Sequence, residues 1–565
     1  MTWPDYLVLF VAILGIAVYG IWRSRKNRDL GTYLKGAGDT NWLVIGLSVM
    51  ATQASAITFL STPGQGYEGG LGFVQNYFGA PFALILIAAV FLPIYRRLKV
   101  YTAYEYLGNR FDAKTRLLGA GLFLFHRGLG AGITIYAPAI VLSTVMGWRL
   151  DFTIIGSGLV ATAYTVSGGS DAVTHTQKYQ LAVIFAGMAA AFAVLISKLP
   201  ANVSTHDVLT LSGGFKKLQA VDFSVNFGKR YTFWSGMIGG LFLALSYFGA
   251  DQSQVQRYIS GASLRESRMG LMFNAICKIP MQFFILLLGC YLFVFYQFAK
   301  PPILFNETAW NRALATASGS RLTELERRFE AAHTEKSAAI AHWLDASHRA
   351  DASAVATFRS QAGAANEREE QARKDASKAI KDAGIKSTND ADYVFIRFIL
   401  RELPHGLIGL LMAAFFAAAL SSKAAELNAL SSTTTIDFYR HIVKRDDAHY
   451  YKASRLFTVF WGLVAIGFAL FANLSENLIQ AANIIGSIFY GVILGMFLAA
   501  FFFKSIKGTA IFCGAIVAQL VVFVCYFRLG ETVGYLWFNV IGCVLCLILA
   551  GGLQMSLNRR TGVTV

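Results

Sequence analysis

Residues 413–440 read AAFFAAALSSKAAELNALSSTTTIDFYR, and this stretch decides the fold class. Most of it is apolar enough to cross a bilayer as a helix. Its centre nevertheless contains Ser421, Ser422, Lys423, Glu426 and Asn428. Polar and ionisable side chains are costly inside hydrocarbon, and those that occur there usually face a cavity or a pathway. The stretch therefore predicts a membrane helix with a functional polar side.

The rest of the chain has the composition of a protein with many membrane spans. Of its 565 residues, 55% are hydrophobic and 15% are charged, whereas about a quarter of a soluble domain is charged. A span needs roughly 20 mostly apolar residues, and such segments satisfy their backbone polar groups in lipid as helices. The sequence predicts an all-α polytopic membrane protein with thirteen transmembrane helices. They begin near Tyr6, Trp42, Phe73, Leu117, Phe152, Tyr179, Phe233, Met269, Leu407, Leu456, Leu478, Thr509 and Val533.

The net charge of +17 indicates topology. Basic residues concentrate in connectors between alternate spans, such as RSRKNR at 23–28 and YRHIVKR at 439–445. The positive-inside rule makes such connectors cytoplasmic, which places the amino terminus outside and the carboxyl terminus inside. We expect a multi-pass protein embedded in the lipid of a bacterial inner membrane. Because the charge reports topology, no nucleic-acid partner is expected.

One segment, residues 301–392, interrupts the membrane pattern. It is polar, it contains 13 basic and 14 acidic residues, and its pattern predicts two solvated helices outside the membrane. The segment divides the chain into residues 1–300, 301–392 and 393–565. It is either an arm that docks an extracytoplasmic partner or an insertion that is tolerated between two spans.

A second polar stretch is VMATQASAITFLSTPGQGY at 49–67. Its Ser and Thr side chains offer the backbone alternative hydrogen bonds, so this helix can open at its middle and turn carbonyl oxygens towards a cavity. Together with the hydroxyls of Ser421 and Ser422, such oxygens form the kind of cage that hard monovalent cations prefer. The residues alone leave two interpretations open, a Na⁺ site and close packing of small residues.

Ionisable residues inside the spans have two interpretations each. Lys423 and Glu426 either form an intramembrane ion pair at i, i+3 spacing or supply a built-in cation beside a bound ion. Asp251 either meets a substrate or pairs with Arg257. Arg127 either binds a substrate carboxylate or pairs inside the protein.

Five motifs, in this order, resemble those of the sodium:solute symporter family, in the branch of iodide, multivitamin and monocarboxylate-like carriers. They are QASAITFLSTPGQGY at 53–67, RLKVYTAYEYLGNRF at 97–111, SGGSDAVTHTQKYQ at 167–180, DQSQVQRY at 251–258 and AAALSSKAAELNALSSTTTIDFY at 417–439. The resemblance implies a LeuT-type fold with a 5+5 inverted-repeat core. Residues 1–300 would hold the first helix, the first repeat and the start of the second. Residues 393–565 would hold the remainder of the second repeat and two or more peripheral helices.

The resemblance also implies a sodium site between two helices. In the family, main-chain oxygens of the broken first-repeat helix and hydroxyls of the eighth core helix bind Na⁺. The matching positions here are Ala51 and Ala54 on the first helix, and Ala418, Ser421 and Ser422 on the second. Some members have a second sodium site, whose ligands would correspond to Gln177, Ala424 and Ala425. Those ligands are missing from this chain, which favours one Na⁺ per cycle.

Substrate residues transfer less directly. In the family the substrate lies at mid-membrane between the broken helices. The positions that match this region are Gln53, Ser55, Thr58, Gln75, Asn76, Arg127, Asp251, Lys278 and Gln480.

The expected function is secondary active transport, in which Na⁺ is the coupling ion for symport of a small organic solute or anion by alternating access. A transporter-like membrane sensor that acts through a separate partner is the alternative. The sequence contains no zinc-protease motif or phosphate loop, and its His residues are scattered, so an enzyme is not expected.

Overall fold

The computed structural model describes residues 2–24, 40–98, 100–385, 389–472 and 476–561. These ranges are helical and contain no β-strand beyond an isolated bridge between Thr40 and Gly261. The helices are α1 (Trp3–Ser24), α2 (Trp42–Gln53), α3 (Ala56–Gly69), α4 (Ala80–Leu86), α5 (Leu92–Leu98), α6 (Ala103–Arg110), α7 (Ala113–Met146), α8 (Leu150–Ser197), α9 (Thr205–Gly214), α10 (Gly240–Gly249), α11 (Gln252–Ile259), α12 (Leu264–Phe298), α13 (Glu307–Leu314), α14 (Gly319–His348), α15 (Ala352–Asp382), α16 (Ala391–Glu402), α17 (Leu407–Thr433), α18 (Arg440–Ile442), α19 (Asp447–Phe471), α20 (Leu478–Phe502), α21 (Gly508–Leu529) and α22 (Leu536–Thr561).

Ten helical segments of the described chain are long and apolar enough to cross a membrane. Helix α1, with 22 residues, and the shorter apolar helices Trp42–Gln53 and Ser235–Gly249 lie at other predicted spans. The predicted all-helical, multi-pass membrane architecture is therefore confirmed. The count of thirteen spans stays a prediction.

The span predicted to begin near Phe73 begins later. Phe73 lies in a 3₁₀-helix, Gly70–Tyr77, and the apolar helix starts at Ala80. Gly70 has φ +70°, and a Cβ there would lie 2.2 Å from the carbonyl O of Lys217. A positive φ and this close approach both require glycine, so α3 ends at a turn that hydropathy alone does not reveal.

Helix α8 contains two of the predicted spans. It runs from Leu150 to Ser197 and includes two apolar segments, Leu150–Ser167 and Tyr179–Ser197. The spans predicted from Phe152 and Tyr179 are both found here, within one continuous helix.

Helix α17 lies at the centre of the bundle, and α19 lies at its edge. Nearly every residue of α17 is buried, including its Ser, Lys, Glu and Asn side chains. Helix α19 instead exposes Leu456, Phe460 and Leu463. An apolar surface on α19 suits contact with lipid, whereas the buried polar side chains of α17 must find partners within the protein.

The predicted helices of the insertion are α14 and α15. They pack on each other, and Glu369 of α15 contacts Lys336 and His333 of α14. The pair also rests on the membrane bundle, because the hydroxyl of Ser337 in α14 donates to the carbonyl O of Gln297 in α12 at 2.9 Å.

Candidate functional site

The first helix break separates α2 from α3. Ser55 is extended, with φ −68° and ψ 174°, so the hydrogen-bond ladder stops before it. In the described part of the chain, no backbone N–H donates to the carbonyls of Ala51, Thr52 or Ala54. Helix ends leave such carbonyls free for other partners. The break therefore presents bare oxygens in the middle of the bundle.

Helix α17 brings Ser422 to this break. Its Oγ lies 3.5 Å from the carbonyl O of Thr52, and both residues are buried. Ala418 precedes Ser422 by four residues and so lies on the same helical face. The arrangement brings together uncharged oxygen donors from two helices.

The neighbouring Ser421 is oriented differently. Its Oγ donates to Oε1 of Gln180 at 2.5 Å and to the carbonyl O of Ala417 at 3.0 Å. Of the two predicted sodium-ligand hydroxyls, only that of Ser422 lies within hydrogen-bonding distance of the break. Adjacent residues on a helix point about 100° apart, and in this structure the two hydroxyls meet different partners.

A glutamine amide fills the space beside the break. Oε1 of Gln177 accepts from the hydroxyl of Ser48 at 2.7 Å, and its Nε2 lies 3.4 Å from Oγ1 of Thr52. This is the position where a second sodium site would need a ligand. The amide is instead engaged with two hydroxyls of α2.

The second helix break separates α10 from α11. Asp251 is the N-cap of α11, and its Oδ1 accepts from the backbone N–H of Ser253 at 2.9 Å. A carboxylate at this position satisfies a free N–H group and stabilises the helix start. The prediction that Asp251 pairs with Arg257 is wrong, because its ion pair is with Arg127.

Arg127 of α7 is the centre of a buried ionic network. Its guanidinium contacts Asp251, donates to Oε1 of Glu426 at 3.2 Å, and donates to the hydroxyl of Tyr490 at 2.9 Å. Tyr490 in turn donates to Asp251 at 2.8 Å. The network joins α7, α11, α17 and α20. Because a buried arginine with two carboxylates is already paired, Arg127 is not free for an incoming anion.

The predicted direct ion pair between Lys423 and Glu426 does not form. Lys423 Nζ contacts the carbonyl O of Ala131 and lies 3.4 Å from Oγ1 of Thr134. Glu426 accepts from the same Thr134 hydroxyl at 2.7 Å and pairs with Arg127. Arg127 reaches Glu426 from a neighbouring helix, and the planar fork of its guanidinium also serves Asp251. Thr134 thus bridges Lys423 and Glu426.

Between the two breaks lies a central pocket of about 150 Å³. Six of the nine predicted substrate residues line it, namely Gln53, Ser55, Thr58, Asn76, Arg127 and Lys278. The other three lie outside it. Gln75 bonds to Tyr231 and Asp222, Gln480 donates to the Tyr231 hydroxyl, and Asp251 lies behind Arg127.

Lys278 is the cation in the pocket wall without a carboxylate. Its side chain is buried, and Nζ lies 4.7 Å from the centre of the Tyr77 ring. Within the described ranges it has no hydrogen bond and no ion pair. A buried ammonium held mainly by a cation–π contact is left without the partner that burial normally requires. An anionic group entering the pocket would supply it.

Two amides of the pocket wall also have an unsatisfied atom. Oε1 of Gln53 and Nδ2 of Asn483 have no hydrogen-bond partner among the described residues. Buried polar atoms are normally paired, and exceptions call for an explanation. The pocket thus offers a cation, an amide donor and an amide acceptor.

Several polar residues of this site are absent from the sequence-based predictions. Among them, Thr52, Thr134, Asn483 and Tyr490 line the pocket, and each is a polar residue in an apolar helix. That signal was available in the sequence. It does not distinguish them from the many other polar residues in the spans.

The chemistry of the site is that of oxygen ligands. Among the described residues there is no group of three or more His, Cys, Asp or Glu side chains that could hold a metal ion. Carbonyl and hydroxyl oxygens suit a hard alkali cation rather than a transition metal.

Comparisons with known proteins agree with this architecture. The model of the Sodium:solute symporter family matches residues 33–311 and 374–523. Sodium-coupled monocarboxylate transporter 1 of Xenopus laevis is 27% identical over 520 residues, which cover 91% of this chain and 70% of that protein. The sodium/sialic acid symporter SiaT of Proteus mirabilis (strain HI4320) is 26% identical over 565 residues, which cover 98% of this chain and 95% of that protein.

A solved structure shows the same fold. It is the substrate-bound, outward-open state of a Na⁺-coupled sialic acid symporter, with a TM-score of 0.73 at 24% identity over 98% of both chains. The matched residues exceed half of the chain, and the resemblance predicted from the five motifs is confirmed. This chain, a multi-pass integral membrane protein, belongs to the sodium:solute symporter family.

Proposed function

We propose that this protein is a Na⁺-coupled symporter of a small carboxylate anion and that it moves one Na⁺ per cycle. Na⁺ is the coupling ion of the family to which the chain belongs. The observation that carries the proposal is the position of the bare carbonyls of the first break. They meet Ser422 at the edge of a pocket that contains an unpaired lysine.

The Na⁺ would bind between α17 and the first break. The donors at hand are the freed carbonyls of Ala51, Thr52 and Ala54 and the hydroxyl of Ser422, with Ala418 on the same face. None of them is charged, which suits a monovalent cation better than a divalent one. Ser421, predicted from the family, would have to leave Gln180 to join this set.

The substrate would be a small carboxylate with a hydroxyl group, such as lactate. Lys278 and the Nδ2 group of Asn483 can receive the carboxylate, and Oε1 of Gln53 can accept a hydrogen bond from the hydroxyl. A water molecule takes up about 30 Å³ of liquid volume, so the 150 Å³ pocket has room for a solute of few heavy atoms. The relative from Xenopus laevis is a monocarboxylate transporter, which agrees with this size and charge.

One Na⁺ per cycle is supported by the residues beside the site. Gln177 is bound to Ser48 and Thr52, and the carbonyl of Ala425 accepts from Gln256. Ala424 and Ala425 have no side-chain oxygen. A second cation would find few free donors here.

Coupling would follow from shared residues. Thr52 and Ser422 border both the proposed Na⁺ site and the pocket, so Na⁺ binding would fix the pocket wall and favour the state that binds substrate. A membrane potential acts on net charge, and one Na⁺ with one monovalent carboxylate carries none, so the Na⁺ concentration gradient would supply the driving force. Release of Na⁺ inside would loosen the wall and free the substrate.

The finer topology belongs to the same proposal. It comprises thirteen spans with a 5+5 inverted-repeat core, the amino terminus outside and the carboxyl terminus inside, in a bacterial inner membrane. The basic connectors support this orientation, and the similarity to a bacterial symporter over 98% of the chain supports the location. The alternative, a sensor that acts through a separate partner, would bind Na⁺ and solute without accumulating the solute.

The test is uptake into proteoliposomes that contain the purified full-length protein. Lactate, pyruvate, iodide and sialic acid are compared under inward gradients of Na⁺, K⁺ or choline. We expect accumulation of lactate with Na⁺ only, and a Hill coefficient for Na⁺ of about 1. Equal uptake in K⁺ would refute Na⁺ coupling, and binding without accumulation would favour the sensor.

A further inference from the structure

A second and larger cavity lies beneath the insertion, at the opposite end of α3 from the first break. Its volume is about 380 Å³. Helix α15 of the insertion forms one wall. The last turn of α3, Lys217 and Phe293 form the other wall, and Phe305 closes one side. We call this cavity the outer chamber.

The buried and half-buried charges on the insertion side of the outer chamber are paired, whereas Glu370, Lys374 and Lys381 line the chamber as exposed charges with no ion pair among the described residues. Lys336 and Glu369 contact each other, and Arg373 lies 3.7 Å from Glu369 and 3.8 Å from Asp390. Burial alone would raise the pKa of Glu369, but the hydrogen bond from His333 and the neighbouring cations lower it to about 2. These groups form a stable wall and leave no strong demand for a ligand.

The opposite wall has an unpaired charge of each sign. Lys217 is buried, its Nζ donates to the backbone carbonyl of Glu68 at 2.5 Å, and it lies 4.6 Å from the centre of the Phe293 ring. Across the described ranges, no carboxylate forms an ion pair with Lys217. Burial lowers the pKa of Lys217, as expected for an ammonium that lacks a counter-ion.

The second group with no ion-pair partner in the described part of the chain is the carboxyl of Glu68. Burial and the neighbouring Asp390 and Asp392 raise its pKa to about 7, as expected for a carboxylate that lacks a counter-ion. Its side chain is exposed to the chamber and has no hydrogen bond or ion pair within the described residues. The ammonium of Lys217 contacts the backbone carbonyl of Glu68, but it forms no ion pair with the Glu68 carboxyl group. A ligand placed between them could satisfy both.

The outer chamber depends on a segment that the family model does not match. The matched ranges stop at residue 311 and resume at residue 374, and α14 and much of α15 lie between these limits. The central pocket has no lining residue from the insertion. A ligand of the chamber would therefore be a property of this chain and not of the transport site.

We infer that the outer chamber binds a small zwitterion, of the class of a free amino acid. Its ammonium would face Glu68, its carboxylate would face Lys217, and its apolar part would lie against the rings of Tyr67, Phe293 and Phe305. A simple anion would be repelled by Glu68 and a simple cation by Lys217, whereas a neutral solute would leave both charges unpaired. The inference does not rest on the proposed function.

The experiment uses the full-length protein in lipid nanodiscs and isothermal titration calorimetry. The probes are norleucine, hexanoate and hexylamine, which share a carbon skeleton and differ in their charged groups. We expect saturable binding of norleucine at one site and at least tenfold weaker binding of the other two probes. Lys217→Met and Glu68→Gln should each weaken norleucine binding about tenfold or more, because each removes a charge-assisted contact.

Two kinds of variant keep the test decisive. Ser377→Trp fills the chamber from α15 without removing a charge and should abolish norleucine binding even if Lys217→Met does not fold. Lys378→Met and Glu367→Gln change exposed charges of α15 outside the chamber and should bind norleucine normally.

The outcomes separate this inference from the proposed function. The inference is wrong if norleucine does not bind, or if the Ser377→Trp and Lys217→Met variants bind it as tightly as the unmodified protein does, whatever the uptake assay shows. If Lys278→Met abolishes norleucine binding and Ser377→Trp leaves it unchanged, the ligand occupies the central pocket and the inference is likewise wrong. Loss of Na⁺-driven lactate uptake alone would leave the chamber result standing.

Discussion

Both helix breaks interrupt a helix inside the bundle, but different groups occupy them. At the first, between α2 and α3, three carbonyls have no backbone donor among the residues that the structure describes, and the hydroxyl of Ser422 is a side-chain partner at this break. At the second, between α10 and α11, Asp251 caps the new helix and is neutralised by Arg127. The first presents uncharged oxygens, which we propose bind Na⁺, whereas the second already contains the protein's own cation.

This difference separates two tasks in one bundle. A break that binds a transported ion has to release it, so the binding must be weak enough to be reversed, and uncharged oxygens suit this. A break that holds helices together can use full charges, because they never leave. The ionic network around Arg127 connects four helices, and we expect it to make the larger contribution to stability.

The strongest test of the comparison is Arg127→Met. The substitution leaves Asp251 and Glu426 buried without the cation that neutralises them, and breaking such a pair costs about 3–5 kcal/mol. We expect a large fall in the thermal unfolding temperature of the detergent-solubilised protein. Arg127→Met combined with Asp251→Asn and Glu426→Gln should recover much of that loss. If Arg127→Met instead keeps its stability and loses only affinity for anions, Arg127 is a substrate ligand.

The next effect is that of Lys278→Met, which probes the pocket between the breaks. A charge-assisted hydrogen bond contributes about 1.5–3 kcal/mol, so the KM for lactate should rise about tenfold to a hundredfold. Na⁺ binding, measured by calorimetry without lactate, should be retained. Lys278→Arg serves as the control, because it keeps the charge and should preserve part of the affinity. An unchanged KM in Lys278→Met would remove Lys278 from the substrate site.

Ser422→Ala should have a smaller effect, confined to the first break. Loss of one neutral ligand oxygen costs about 1 kcal/mol, and we expect roughly fivefold weaker activation of uptake by Na⁺, with folding intact. Ser432→Ala is the matched control, because that hydroxyl bonds within its own helix to Ala429. Ser421→Ala should weaken Na⁺ activation less than Ser422→Ala, since its hydroxyl is directed to Gln180. The reverse order would reassign the ligand.

The smallest expected effect is a pH dependence of the stability of the insertion, which lies outside the membrane spans. Its buried ion pair between Lys336 and Glu369 can be compared with the ionic network of the second break. The pKa of Glu369 is lowered to about 2, so its stabilising contribution is complete above the ordinary carboxyl range and is lost as pH falls towards 2. Between pH 7 and pH 4 the insertion should lose about 1 kcal/mol of stability. Hydrogen exchange of α14 and α15 measures this loss. Glu369→Gln should remove the pH dependence, and an unchanged slope would show that another group titrates.

Much of the fold could be predicted from the sequence because its signals are local. Hydropathy marks the apolar helices, the Ser/Thr-rich run before Ser55 and the glycine-interrupted run before Asp251 mark the breaks, and the charge balance of residues 301–392 marks the insertion. The five motifs led to the family, which the comparisons confirmed. Each of these features depends on residues that are close to one another in the sequence.

The pairing of the charges could not be predicted in this way. Lys423 and Glu426 satisfy the spacing rule for an ion pair, yet Arg127 pairs with Glu426 across 299 positions of sequence and with Asp251 across 124. Gln75 and Gln480 belong to the right helical regions but bond to Tyr231 and lie outside the pocket. The rotation of one helix against its neighbours decides such contacts.

The sequence by itself determined that this protein is a helical membrane protein of its family, with two interrupted helices and a polar insertion. The tertiary structure decided which carbonyl oxygens stay free, which cation is neutralised and which one, Lys278, has no ion pair among the described residues. The physical reason is that burial gives each polar group a demand for a partner, whereas only the packing of distant helices determines which partner comes within reach.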